Sequence, residues 1–181
     1  MNKLAIALSA ALSLGAAASA NAAEATISFE GTITDTTCEI SLGGAGSAGQ
    51  KLTLPTLGKA AITGTEASRE TAFNVILGKP GAGNTCPGSK AYLVFETTNV
   101  DTTGGLKNTH TPDDEAAKFV ELALVYKDAE LDLRSAQPDA DVDAGIYTYP
   151  MKARYRKTGS ASDAVVGGKF VTSVGVDVQY R

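Results

Sequence analysis

Residues 169–181 read Lys169-Phe170-Val171-Thr172-Ser173-Val174-Gly175-Val176-Asp177-Val178-Gln179-Tyr180-Arg181. From Phe170 onward the even positions are Phe, Thr, Val, Val, Val and Tyr; from Ser173 onward the odd ones are Ser, Gly, Asp, Gln and Arg. Period-two alternation held to the last residue predicts a strand with one apolar and one polar face. Chain ends are more often polar and frayed, so an amphipathic strand here needs a cover for its apolar row and a partner for its edge. Residues 26–40 have the same form: Ile27, Phe29, Gly31 and Ile33 share one side, and Ser28, Glu30, Thr32 and Thr34 the other.

Between these two stretches the pattern stays short and β-like. Residues 51–57 predict a strand stopped at Pro55, and residues 71–77 one with Phe73, Val75 and Leu77 on one side. Residues 91–95 predict another, and residues 119–126 form the strongest apolar run, expected as a core strand. Residues 146–157 set Met151, Ala153 and Tyr155 against Lys152, Arg154 and Arg156. Glycine, proline, aspartate and serine clusters separate the strands at residues 43–49, 78–88 and 159–168. Residues 99–112 read as a polar excursion with room for a short hairpin, residues 113–117 as one helical turn behind Pro112, and residues 128–143 as an acidic loop. Seven or eight short strands without a long helix predict an all-β fold, an antiparallel sandwich.

The front of the chain reads as an export signal. Met1-Asn2-Lys3 is a short positive start, residues 4–18 are apolar and small, and Ala20-Asn21-Ala22 fits a small-x-small cleavage site. The apolar run, interrupted by Ser9 and Ser13, is shorter than the roughly 20 residues of a spanning helix, and no later segment could span a bilayer. Residues 1–22 are therefore expected to be removed, leaving one domain of 159 residues and taking the net charge from −4 to −5 with the loss of Lys3. A mildly acidic chain without basic clusters argues against nucleic acid or an anionic membrane as partner. Export also implies an oxidising compartment, so Cys38 and Cys86 are expected as a disulfide closing a loop of 48 residues. Such a closure contributes roughly 4 kcal/mol in the chain-entropy picture. Reactive or metal-binding thiols are the alternative, but there is no CxxC and the sole histidine, His110, sits among Asn108, Thr109 and Thr111 in what reads as a solvated loop.

No catalytic set, cofactor or metal site is expected. Any Ser-His-Asp arrangement would depend on His110. Ala45-Gly46-Ser47-Ala48-Gly49 lacks the first glycine of a nucleophile elbow. Gly81-Ala82-Gly83 runs into Cys86 where a phosphate loop needs a third glycine. Asp139, Asp141 and Asp143 begin like a calcium loop, but its sixth and twelfth positions hold Ala144 and Pro150 instead of glycine and glutamate. A sugar-binding sandwich and a secreted enzyme or inhibitor remain the other readings.

Taken together, the residues resemble a pilin of the chaperone–usher pathway, of the type 1 fimbrial major-subunit kind, over essentially the whole chain. Residues 27–33, followed five residues later by Cys38, are similar to the family's donor strand running into its first strand. The cysteines sit where the family's disulfide lies, and Tyr149-Pro150-Met151-Lys152-Ala153-Arg154-Tyr155 resembles a late pilin strand. The penultimate Tyr180, and Gly168 at the fourteenth position from the end, match the family's terminal motif. The resemblance implies an incomplete immunoglobulin-like sandwich over residues 34–181, completed by a donor strand from a neighbouring subunit. Residues 23–33 would be that donor extension, with Ile27, Phe29, Gly31 and Ile33 entering a neighbour's groove. Gly168, Phe170, Val174, Val176, Val178 and Tyr180 would mark the C-terminal strand that pairs first with a periplasmic chaperone and then with the next pilin. The implied partners are identical or related pilin subunits, the chaperone and an outer-membrane usher. The implied destination is a surface fimbrium reached through the periplasm, supporting cell adhesion. With cleavage after Ala22, four residues precede Ile27, so the extension is short.

Overall fold

The computed structural model describes residues 38–44, 47–48, 50–62, 70–79 and 86–181. The strands are β1 (Ile40–Gly43), β2 (Ser47–Ala48), β3 (Lys51–Leu52), β4 (Thr71–Leu77), β5 (Lys90–Phe95), β6 (Leu106–Lys107), β7 (Val120–Tyr126), β8 (Ala129–Glu130), β9 (Asp139–Asp141), β10 (Tyr147–Lys157) and β11 (Val176–Tyr180), with one 3-10 turn at Lys59–Ala61. The fold is all-β. One sheet has the order β1-β4-β10-β7-β6, with β8 also on β7; a second has the order β11-β5-β9; β2 and β3 form a small hairpin. Every strand pairing is antiparallel.

Alternation decides which side chains meet between the sheets. Phe73, Val75 and Leu77 of β4, Ala91, Leu93 and Phe95 of β5, and Tyr147, Tyr149, Met151 and Ala153 of β10 are buried in one core. Three tyrosine hydroxyls find backbone acceptors within it: Tyr147 donates to the Pro87 carbonyl at 2.7 Å, Tyr149 to Ala91 at 2.9 Å and Tyr126 to Asp139 at 2.6 Å. Each lets a large ring be buried without stranding its polar tip. The Cys38–Cys86 disulfide forms as expected, with Cα atoms 5.7 Å apart, and ties the approach to β1 to the approach to β5.

Strand β7 is buried along its whole length on both faces. Leu122, Leu124 and Tyr126 join the core, so Glu121 faces outward, yet it is 1% exposed. Its carboxylate accepts from the Thr103 hydroxyl at 2.5 Å and from Arg156 Nε at 2.6 Å. Gly105 lies against it so closely that a Cβ there would fall 2.6 Å from the carboxylate. A buried charge satisfied in this way is tolerated; an unpaired one would not be.

Several sequence expectations are corrected. Residues 169–181 are a strand only over Val176–Tyr180. The backbone before it bonds instead to the loop of residues 108–117: Lys169 N–H donates to Glu115 O at 2.8 Å, Ala117 N–H to Lys169 O at 2.9 Å and Thr109 N–H to Val171 O at 2.7 Å. Phe119 does not open the core strand; it stands at φ 58° and is 40% exposed. Residues 51–57 pair only at Lys51–Leu52, short of Pro55, which has no N–H to donate. Residues 113–117 form two overlapping turns rather than a helical turn, because Ala116 is drawn into a bridge with Lys169. The acidic stretch of residues 128–143 contains β8 and β9, the latter paired to β5. The hairpin in residues 99–112 is present as a Val100–Leu106 bridge leading into β6.

Candidate strand-docking groove

The first sheet runs β1-β4-β10-β7, and β11 lies beside β5 in the second. That is the A-B-E-D and F-C arrangement of an immunoglobulin sandwich, in which the last strand, G, pairs with F. Strand β11 takes the place of F. Its register on β5 runs from Val176 opposite Phe95 to Tyr180 opposite Ala91, and Arg181 closes the ladder with bonds to and from Lys90 of 2.8 and 3.0 Å. Among the described residues, β11 pairs with β5 alone. In an immunoglobulin sandwich, strand G belongs on the other edge of the strand in this position.

The side chains along this line are apolar and only half-buried. Val174, Val176, Val178 and Tyr180 from the β11 side, and Ile40 and Leu42 from β1, pack against the core without being enclosed by it. On β5, directly opposite in the ladder, Ala91 and Leu93 are 0% exposed. The Tyr180 ring lies 6.0 Å from that of Tyr147, and its hydroxyl takes a backbone hydrogen bond from Cys38. Burial raises the Tyr180 phenol above its usual range. Tyr180 and the disulfide therefore set the two walls relative to each other at one end.

At the other end lies a hollow of about 310 Å³. Leu54, Pro55, Ile62, Tyr155, Val166 and Phe170 supply much of its apolar lining, and Gly168 and Lys169 its rim. The Phe170 ring meets Tyr155 edge-on at 5.3 Å between centroids, and burial raises the Tyr155 phenol. Gly168 has a structural reason to be glycine: a Cβ there would lie 2.5 Å from the Glu115 carbonyl oxygen.

The structure thus brings Phe170, Val174, Val176, Val178 and Tyr180 onto one apolar line, with Gly168 at its beginning and Cys38 at its end. Ile27, Phe29, Gly31 and Ile33 lie outside the described residues. Leu54, Ile62, Val165 and Val166 were missed by the sequence reading; the only signal was the apolar pair Val165-Val166 inside a glycine-rich loop. The other candidates resolve into structural roles. His110 is not solvated; its side chain is 14% exposed, with Nε2 3.7 Å from Glu115 Oε2. Asp139 and Asp141 lie 2.9 and 3.5 Å from Lys90 Nζ, and hydrogen bonding to that ammonium holds Asp139 below the usual carboxylate range.

Two solved structures share this architecture. A chaperone–usher pilus, whose structure addresses the molecular basis of rod uncoiling, matches with a TM-score of 0.57 and 18% identity, over 87% of this chain and 96% of its own. The P pilus rod subunit PapA matches with a TM-score of 0.55 and 17% identity, over 86% of this chain and 100% of its own. The chain has the pilin fold. No family model matches it, and no curated protein does. In that fold β11 stands in the F position, beside β5.

Proposed function

We propose that this chain is a structural subunit of a surface fimbria and polymerises head to tail, residues 23–33 of one copy supplying the last strand of another. The observation that carries the proposal is β11: an amphipathic strand that, among the described residues, is paired on one edge alone and whose apolar row is half-buried. An exposed strand edge over apolar core is an aggregation hazard. Strand addition removes it by providing main-chain partners and side chains for the groove. Ile27, Phe29 and Ile33 would each contribute roughly 1.5–3 kcal/mol on burial, and Gly31 would pass where the groove has no space. Because donor and acceptor surfaces differ, the contact does not close on itself and generates a filament. The same exposed edge calls for a periplasmic chaperone before assembly and an outer-membrane usher to exchange it, after removal of residues 1–22 on export. The role is structural and supports adhesion rather than catalysis.

The test is assembly of the chain from Ala23 onward, followed by electron microscopy, against the same chain lacking residues 23–33. The intact chain should form fibres; the shortened chain should bind an added peptide of residues 23–37 but not polymerise. Long fibres from the shortened chain would refute the proposal.

A further inference from the structure

At the hollow's end of the sandwich, two large apolar side chains stand in solvent on a rigid base. Phe119 is 40% exposed and Val166 45%. They are held together by the Lys118–Val166 bridge, whose two backbone bonds are both 3.1 Å. Phe119 is kept at φ 58°, a backbone region that aromatic residues rarely adopt. Its carbonyl accepts from Thr158 N–H at 3.0 Å, and its ring lies over Gly159, where a Cβ would come within 3.2 Å of it. Backbone strain persists where surrounding structure enforces it, and it concentrates at working surfaces. Val166 also lines the hollow, as do Ala117 and Val120 on either side of the Lys118-Phe119 pair.

The occupant follows from chain direction and reach, and rests on the donor-strand reading. A strand in the G position of this antiparallel sandwich runs opposite to β11. Its C-terminal residue, Ile33, then ends near residues 168–170, at the hollow. From Ile33 to Cys38, where the disulfide anchors the donor's folded body, there are five residues. At full extension they reach about 17 Å, so the donor's body must sit over this end of the acceptor. The charges agree: Lys59 and Lys169 line the hollow, and the donor's connecting segment and its end carry Asp35 and Glu39.

We infer that the Phe119–Val166 ridge is a contact surface for the body of a second copy of this chain, the copy whose extension fills the groove. The contact orients successive subunits beyond what a single shared strand can do.

The full chain carrying a photoreactive phenylalanine analogue at position 119 tests this in assembled fibres. Irradiation should give covalent dimers in fibres and none in dilute monomer. Phe119→Asn provides the second measurement, since asparagine suits the left-handed backbone and the fold should be kept. Its monomer should unfold at the original temperature, while its fibres should lose stiffness. Fibres that form normally but give no cross-link, or fibres of Phe119→Asn as stiff as the original, would overturn the contact and leave the donor-strand reading standing. Failure of the intact chain to form fibres would overturn both.

Discussion

Adjacent glycines 167 and 168 should respond to alanine in opposite ways. Neither has a positive φ, so the difference is one of space alone. A Cβ on Gly168 would lie 2.5 Å from Glu115 O and 2.6 Å from Ala116 C and Ala117 N, all backbone atoms. Since none of these can rotate away, residues 166–171 must move off residues 115–117. That movement stretches the Lys169 N–H bond to Glu115 O (2.8 Å) and the Ala117 N–H bond to Lys169 O (2.9 Å). Two such bonds contribute about 2 kcal/mol together, and overpacking adds about 1–3 kcal/mol. Gly168→Ala is therefore expected to destabilise by about 3–5 kcal/mol, a fall of roughly 6–20 °C for a domain of this size. Gly167 has nothing within 4 Å of its Cβ position. There alanine only narrows the unfolded ensemble, and stability should hold or rise by about 0.4–1 kcal/mol. Circular dichroism melts and urea titrations of the two variants measure this, with an unchanged urea slope showing that the transition is the same one. If Gly168→Ala melted with Gly167→Ala, the close approach of the two backbones would be wrong.

Glu121→Ala should cost about 1–3 kcal/mol, because Arg156 Nε and the Thr103 hydroxyl lose their acceptor while the guanidinium keeps its ion pair with Glu130 and its bond to Thr103 O; an unchanged stability in urea unfolding would contradict the pairing. Asp132 is held at a pKa of about 2 by hydrogen bonds from the Arg134 side chain, at 2.9 and 2.7 Å, and backbone. A depressed carboxylate pKa gives stability that is fully present above the ordinary range near 3.8 and is lost as pH falls through about 2. Carboxyl-carbon titration by NMR should show that low midpoint, and a midpoint near 4 would refute it. Gly31→Leu should stop fibre formation while leaving the monomer's melting temperature unchanged; normal fibres would show that Gly31 does not pass the narrow part of the groove.

Much of the sandwich was legible because β4, β5 and β10 alternate strictly and each buries one face. The readings failed where alternation and ladder pairing part company. Phe170, Thr172 and Val174 are half-buried and Val171 and Ser173 exposed, as period two requires, yet the backbone bonds of this segment, at Lys169 and Val171, go to a loop. Strand β9 was invisible because only Ala140 of its three residues is buried; its place comes from β5 and from Lys90. Phe119 continues an apolar run in sequence, but its left-handed backbone turns it out of the ladder. The groove's β11 wall could be read from the alternating valines and Tyr180. The hollow could not, since Leu54, Ile62 and Val166 come from separate irregular segments that only the fold brings together.

The central claim is that the domain needs a strand it does not itself provide in place. Thermal unfolding of residues 34–181 alone, compared with the same residues carrying residues 23–37 after Arg181 on a flexible linker, tests it directly. Filling the groove with Ile27, Phe29 and Ile33 at roughly 1.5–3 kcal/mol each should raise the melting temperature by more than about 10 °C and abolish oligomers. Equal melting temperatures for the two chains would mean that the sandwich is complete without a donor.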